Sequence, residues 1–106
     1  MRERLERRPS EDLRAEAAAK AIAPDLAKSL RRAGATRIVL FGSLVDGSFR
    51  RDSDIDLAVA GLPEPVLARF ERELTQLAGR PVELANFELM AAPLRASIER
   101  FGVELA

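Results

Sequence analysis

Residues 41–59 read FGSLVDGSFRRDSDIDLAV, and this stretch decides the fold. An apolar run over 38–41 leads into it and is too short for a helix, so it predicts a buried strand that ends at Gly42. From Asp54 to Ala60, acidic or small residues alternate with apolar ones, which are Ile55, Leu57 and Val59. Alternation with a period of two predicts a half-buried strand that carries Asp54 and Asp56 on one face.

The spacing of Asp54 and Asp56 predicts a site for cations. Residues i and i+2 of a strand point the same way, with Cα atoms about 7 Å apart, so the two carboxylates can converge. Two like charges this close raise one of their pKa values, whereas Mg²⁺ removes the repulsion. Gly42 lets the backbone approach a phosphate closely, and Ser43 adds a hydroxyl donor beside the free amides of the turn. Together the two motifs predict a site for Mg²⁺ and a phosphate.

Helical periodicity surrounds these strands. Residues 10–22 predict an amphipathic helix that breaks at Pro24, and a second helix runs from there to Gly34. A Pro/Gly turn at 61–65 precedes a helix that ends at Gly79. The apolar stripe of this helix consists of Leu67, Phe70, Leu74 and Leu77.

The last quarter of the chain adds a strand, a helix and an edge strand. Residues 81–87 predict a third strand with Val82 and Leu84 inward and Glu83 between them. A final helix stops at Gly102 and leaves 103–105 as an edge strand; its apolar side consists of Leu94, Ile98 and Phe101. The sequence therefore predicts a single α/β (α+β) domain over residues 1–106, with a small mixed sheet of three to four strands flanked by helices.

Composition narrows the chemistry. Seventeen basic residues balance seventeen acidic ones, so we expect neither a nucleic acid nor a membrane as partner. Cysteine and histidine are both absent, which leaves carboxylates, hydroxyls and arginines to carry any reaction. Residues 1–8 contain no apolar run, so they predict neither a signal peptide nor an anchor, and we expect a cytoplasmic protein.

One family resemblance rests on the central motif. Gly42-Ser43, ten intervening positions and then Asp54-Ile55-Asp56-Leu57 resemble the signature of the DNA polymerase β-like nucleotidyltransferase superfamily, specifically its minimal nucleotidyltransferase branch. The similarity extends over about 34–105. Its further segments are Leu40-Phe41, Gly47, Ser53, Ala58-Val59, Gly61-Leu62-Pro63, Leu94-Arg95 and Gly102-Val103.

The resemblance implies a nucleotidyltransferase fold and assigns roles to individual residues. Gly42 and Ser43 would hold the triphosphate of ATP, and Asp54 and Asp56 would ligate Mg²⁺. Glu83 stands where the family places a third carboxylate, which would bind metal and accept the proton of the acceptor. We also predict nucleotide contacts from two residues of the intervening loop, Arg50 and Ser53.

Two departures leave alternatives open. Relatives commonly read Gly-Ser-Arg-Ala-Arg-Gly where this chain has GSLVDG, so Asp46 replaces a cation and weakens nucleotide binding unless Arg50 or Arg51 compensates. Family members often have Asp at the position of Glu83. Each candidate also has a plainer interpretation: the three acids as solvated strand residues, the arginines as a solvated loop, and Ser53 as a local turn cap.

The resemblance implies an enzyme of the protein adenylyltransferase type. Minimal nucleotidyltransferases resemble the antitoxin half of two-gene toxin-antitoxin systems whose partner carries a HEPN domain, and they attach AMP from ATP to a tyrosine of that partner. The alternative is a weak or inactive binding module that neutralises its partner by complex formation. The acceptor, the nucleotide preference and the choice between homo- and hetero-oligomers stay open at this stage.

Overall fold

The structure, a computed structural model, describes residues 8–106. Predictions that concern residues 1–7 lie outside this range. The helices are α1 (Ser10–Ala33), α2 (Ser43–Asp46), α3 (Glu64–Ala78) and α4 (Ala92–Phe101), with a 3₁₀ helix at Phe87–Leu89. The strands are β1 (Arg37–Phe41), β2 (Ile55–Ala60), β3 (Val82–Asn86) and β4 (Val103–Glu104).

The four strands form one mixed sheet in the order β3-β2-β1-β4. β1 pairs with β2 and with β4 in antiparallel fashion, and β2 pairs with β3 in parallel. The helix α3 lies between β2 and β3 in the sequence and provides the crossover that a parallel pair requires. The predicted mixed α/β sheet, including the edge strand near the end of the chain, is confirmed.

The core lies mainly between one face of the sheet and the helices α1 and α3. Its fully buried members include Leu26 and Leu30 of α1, Leu67 and Leu74 of α3, and Ile55, Leu57 and Val59 of β2. A smaller cluster covers part of the opposite face, where Ile98 of α4 and Phe87 pack against Val39 and Ala58. The apolar face predicted for β2 is therefore the main core face.

The prediction that β2 is only half-buried was wrong. Ala58 and Ala60 are buried on the second face as well, because α4 and the 3₁₀ helix fold over that end of the sheet. Only Asp56 interrupts the burial of β2. The second face is thus covered at one end and open at the other, and the open end carries the acidic residues.

The predicted break at Pro24 was also wrong, because α1 runs without interruption through this residue. Proline removes the hydrogen bond to the carbonyl four residues earlier, which belongs to Lys20. Pro24 and Lys20 are both exposed, so water can satisfy that carbonyl. Buried Ala23, Leu26 and Leu30 continue the apolar face past the proline and hold the helix against the core.

Leu77 does not belong to the buried stripe of α3, since 52% of it is exposed. At 3.6 residues per turn, a residue ten positions after Leu67 lies about 80° around the helix from it. Gly79 then ends the helix in a left-handed conformation with φ of 72°. Among residues 8–106, no helix has the combination of length and apolarity that crossing a bilayer demands.

Candidate active site

Three acidic residues come together at the open end of the second sheet face. Asp56 of β2 lies directly opposite Glu83 of β3 in the parallel register, so their side chains share a face. Asp54 immediately precedes β2 and is close enough to act electrostatically on Asp56. Asp54 and Asp56 are half-buried, whereas Glu83 is exposed. The structure therefore brings the three predicted acids together.

The pKa of Asp56 is raised from its usual 3.8 to about 6. Burial of the carboxylate is the largest cause, followed by the negative charges of Glu83 and Asp54 and by a hydrogen bond to Glu83. Among residues 8–106, no cation shifts this pKa in the opposite direction. A raised carboxyl pKa with like-charged neighbours marks a site where negative charge is uncompensated, and such a site attracts a cation.

The predicted phosphate turn lies against this acidic group. Phe41 pairs with Asp56 across β1 and β2, so the next residue, Gly42, passes directly beside the aspartate. Gly42 has φ of 81°, and a Cβ on it would collide with the carboxylate of Asp56. Only glycine fits both the backbone conformation and the space.

Gly42 is also the residue immediately before α2. Its carbonyl accepts hydrogen bonds from the amides of Val45 and Asp46, at 3.0 and 3.1 Å, which close the single turn of this helix. The amides at the start of a helix have no partner within it, and they are the groups that bind phosphates elsewhere. Ser43 is half-buried at this start, and its hydroxyl makes no hydrogen bond to another described residue. The turn therefore offers donors beside the acidic group.

Side chains of α3 fix the strand that carries Glu83. Among residues 8–106, β2 is the one strand that pairs with β3, so the amides on the outer edge of β3 have no strand partner there. The hydroxyl of Thr75 accepts from the amide of Val82 at 3.0 Å, and the carboxylate of Glu71 accepts from the amide of Leu84 at 2.9 Å. These two bonds satisfy the edge on both sides of Glu83 and set the register of its strand.

Residues 47–54 connect the phosphate turn to Asp54, and this loop is held in place by contacts that the sequence motif did not reveal. Phe49 is completely buried beneath it. The buried carboxylate of Asp12 accepts from the amide of Arg51 at 2.9 Å. Arg80 donates to the carbonyls of Arg51 and Ser53 at 3.2 and 2.8 Å. The signal in the sequence that could have indicated this anchoring is Phe49, an aromatic residue within an otherwise polar loop.

Ser53 and Arg50, the two loop residues predicted to contact the nucleotide, are not part of the group of three acidic residues. The hydroxyl of Ser53 accepts from the amide of Arg50 at 2.9 Å, so it closes a local turn. Arg50 is exposed and lines a depression of about 480 Å³ beside the start of α1, together with Asp12 and Arg51. Their contacts to a nucleotide stay a prediction, as do the roles of the other site residues.

Asp46 occupies the position where the family resemblance led us to expect a cation. Its carboxylate accepts from the amide and the hydroxyl of Ser48, at 2.9 and 2.6 Å. These hydrogen bonds hold the pKa of Asp46 below its usual value, so the side chain is anionic at neutral pH. The loop thus keeps a negative charge near the phosphate turn.

The donor set fits Mg²⁺, which prefers oxygen ligands. Within the described part of the chain, no group of three or more acidic side chains is arranged so that it could hold a metal ion by itself. Mg²⁺ in nucleotide sites takes one or two carboxylates and completes its shell with phosphate oxygens and water, so a complete protein cage is not required. Asp54 and Asp56 would hold the ion, with Glu83 beside them.

An apolar cleft of about 310 Å³ adjoins the phosphate turn. It lies between α2 and α4 and shares Phe41 and Gly42 with the acidic site. Two of its apolar residues are strongly exposed, Leu94 at 47% and Phe101 at 65%. This cleft extends the open end of the sheet face with a surface that could bury apolar groups of another molecule.

Comparison with known proteins agrees with this geometry. A family model described as a nucleotidyltransferase domain matches residues 24–104. No curated protein sequence matches the chain significantly. The solved structure of a minimal nucleotidyltransferase is 31% identical, with a TM-score of 0.69 over 79% of this chain and 89% of that chain.

Two toxin-antitoxin structures are also similar. One, a crystal structure with AMP-PNP, has a TM-score of 0.70 at 24% identity and covers 79% of this chain and 73% of that chain. The other, a mutant of the MntA toxin-antitoxin pair, has a TM-score of 0.67 at 25% identity over 77% and 69% of the two chains. With the family model matching most of its length, this chain belongs to the nucleotidyltransferase domain family, of the minimal nucleotidyltransferase type.

Proposed function

We propose that this chain is a Mg²⁺-dependent protein adenylyltransferase that moves AMP from ATP to a hydroxyl group, a tyrosine by preference, of a HEPN-domain toxin. The chain would then act as the antitoxin of the pair. The observation that carries the proposal is the position of Asp56. Its carboxylate lies beside the backbone of Gly42 and close to Glu83 and Asp54, and burial together with the negative charges of these two acids raises its pKa.

The chemistry follows from these positions. Gly42 and Ser43 would bind the triphosphate through backbone amides and a hydroxyl, and Asp54 and Asp56 would hold Mg²⁺. When bound, the metal neutralises charge on the attacking and leaving oxygens. The acceptor oxygen forms a bond to the α-phosphorus while the bond to the bridging oxygen breaks and pyrophosphate leaves. Glu83, which is exposed, would accept the proton of the hydroxyl.

A protein acceptor is supported by two observations. The apolar cleft beside Gly42 provides an exposed surface for a partner, with Leu94 and Phe101 at its rim. Two of the similar solved structures are toxin-antitoxin pairs, and one of them contains AMP-PNP. The chain itself contains no tyrosine, so any AMP linked to tyrosine must lie on the partner.

A second candidate function is neutralisation of the partner by complex formation alone. Asp46 favours it, because its carboxylate is held anionic by Ser48 close to the turn that would bind phosphates. A negative charge there opposes triphosphate binding by Coulomb repulsion. The two candidates that the sequence suggested for a compensating cation, Arg50 and Arg51, both line the depression beside α1.

Labelled ATP distinguishes the two functions. The chain is incubated with a HEPN-domain partner, Mg²⁺ and ATP labelled in the α-phosphate, and labelling of the partner is measured together with complex formation. The test variant is Asp54→Asn. Its matched control is Asp52→Asn, which makes the same change in an exposed residue of the same loop.

The two candidates predict different patterns. The adenylyltransferase labels the partner on tyrosine, loses at least about 100-fold of its rate in Asp54→Asn and keeps it in Asp52→Asn. If the chain is a pure binding module, the native chain, Asp54→Asn and Asp52→Asn all form the complex with the partner, and none of them labels it. Labelling that Asp54→Asn leaves unchanged would contradict the assignment of the metal ligands.

A further inference from the structure

Arg80 stands between the segments that carry the acidic residues. It follows Gly79, which ends α3, and precedes the first residue of β3 by two positions. Its backbone is therefore anchored three residues before Glu83. Its side chain extends towards the loop over residues 47–54, where it meets the segment that ends in Asp54.

The contacts of Arg80 are directed at the backbone of this loop. One guanidinium nitrogen, Nη1, donates to the carbonyl of Ser53 at 2.8 Å and to the carbonyl of Arg51 at 3.2 Å. The guanidinium also lies over the ring of Phe49, 4.9 Å from its centroid. Among residues 8–106, it has no carboxylate partner within ion-pair distance.

The carbonyl of Ser53 belongs to the peptide group that joins Ser53 to Asp54. Asp54 precedes β2 and has no strand partner within residues 8–106, so the described sheet does not fix its orientation. The ladder begins one residue later, where the amide of Ile55 donates to the carbonyl of Pro81 at 2.9 Å. Arg80 thus holds the peptide plane on one side of Asp54 while the residue after Arg80 holds the plane on the other side.

From these contacts we propose that Arg80 is a positioning residue that sets the orientation of the Asp54 carboxylate towards Asp56 and Glu83. The inference rests on the proposed function where it concerns metal binding. Residues that orient a metal ligand by hydrogen bonding typically change metal affinity by 10- to 100-fold when they are removed. No feature of the motif from Gly42 to Asp56 points to Arg80, which lies outside it.

The geometry requires arginine. A planar guanidinium can stack on Phe49 and still direct an N–H at two carbonyls. A lysine ammonium at the same position keeps the charge but has no plane to stack, so it cannot reproduce both contacts. Arg80→Lys should therefore retain part of the effect, and it serves as the conservative variant if Arg80→Ala is poorly folded.

The first measurement is Mn²⁺ binding by electron paramagnetic resonance, with Mn²⁺ alone in place of Mg²⁺. Arg80→Ala should weaken Mn²⁺ binding by about 10-fold or more, and Arg80→Lys by less. Arg69→Ala is the matched control, because Arg69 is an exposed arginine of α3 whose guanidinium also lies over an aromatic ring, 5.9 Å from the centroid of Phe70. It should bind Mn²⁺ as the native chain does. Native affinity in Arg80→Ala would overturn the proposal.

The second measurement is amide hydrogen exchange without metal, and it separates positioning from general destabilisation. Exchange should accelerate in Arg80→Ala at Ser53 and Ile55. Their amides donate to the carbonyls of Arg50 and Pro81, which lie in the held loop and directly after Arg80. It should stay slow at Val82 and Leu84, whose acceptors are side chains of α3. Equal acceleration at all four amides, or none at Ser53 and Ile55, would overturn the positioning role.

The two measurements also separate this inference from the proposed function. If the native chain binds no Mn²⁺, the proposed metal site fails on that result alone. Amide exchange then still decides whether Arg80 holds the segment before Asp54. If the native chain binds Mn²⁺ and Arg80→Ala changes neither affinity nor exchange, the metal site survives and the role of Arg80 does not.

Discussion

Replacing Asp56 with asparagine is expected to stabilise the metal-free protein above pH 6. The folded protein raises the pKa of Asp56 from 3.8 to about 6 through burial and through the charges of Glu83 and Asp54. Because the folded-state pKa lies above the unfolded one, this group favours folding most below pH 3.8. The contribution is lost as the pH rises through 6. Asparagine keeps the shape of the side chain and removes the charge.

The magnitude follows from the size of the shift. A rise of the pKa from 3.8 to about 6 means that the free energy of unfolding is about 3 kcal/mol lower with Asp56 ionised than with Asp56 protonated. Asp56 is half-buried, so solvent screening reduces the expected gain in unfolding free energy to about 1–2 kcal/mol. For a domain of this size, that corresponds to an increase in Tm of about 5–10 °C.

Thermal unfolding followed by circular dichroism measures the gain. Native chain, Asp56→Asn and the exposed control Asp52→Asn are compared in EDTA at pH 5.0 and pH 7.5. We expect Asp56→Asn to unfold at a higher temperature than the native chain at pH 7.5, and the difference to shrink at pH 5.0. Addition of Mg²⁺ with AMP-PNP should raise the Tm of the native chain and of Asp52→Asn, but not that of Asp56→Asn. An Asp56→Asn variant that is less stable than the native chain at pH 7.5 would refute the electrostatic reasoning.

Three other substitutions, one of them paired with Phe101→Ala as a control, test separate parts of the structure by thermal or urea unfolding. Gly42→Ala should cost at least about 2 kcal/mol and abolish nucleotide binding, since φ is positive and a Cβ meets Asp56; native binding would contradict the close approach. Phe49→Ala should cost about 3–5 kcal/mol, whereas Phe101→Ala, at an exposed site, should change stability by less than about 0.5 kcal/mol. Pro24→Ala should leave α1 intact and stabilise by about 0.5–2 kcal/mol, because it restores a helical amide; a loss of stability would contradict that reading.

The sequence predicted the elements that depend on local pattern. The run before Gly42 and the alternation after Asp54 identified β1 and β2, and the turn residues placed the ends of α3 and α4. The alternation also placed Glu83 on the outward face of β3, between two inward residues. Short-range periodicity was sufficient here because each of these segments has one face in the core.

The predictions failed where distant parts of the chain decide the outcome. Pro24 satisfied the local rule for a helix break, but the apolar face on both sides of it packs on the same core. Burial of Ala58 and Ala60 depends on α4, which follows more than thirty residues later. Periodicity within one segment carries no information about such covering elements.

The anchoring of the loop over 47–54 was missed for a similar reason. Asp12 lies in the first turn of α1 and Arg80 follows α3, and neither belongs to the motif that it supports. Both side chains form hydrogen bonds with backbone groups, which every residue has, so the sequence does not indicate which backbone group is the partner. The hydrogen bonds of the buried Asp12 carboxylate and of the Arg80 guanidinium can be identified only once the positions of their backbone partners are known.

The central claim is that Asp54 and Asp56 share a divalent ion with the triphosphate of a nucleotide held at Gly42 and Ser43. Isothermal titration calorimetry of AMP-PNP into the native chain and into a variant with both aspartates changed to asparagine tests it most directly, with and without Mg²⁺. We predict that the native chain binds AMP-PNP only with Mg²⁺, and that the double variant does not bind it. Equal binding by both proteins, or binding by the native chain in EDTA, would contradict the claim.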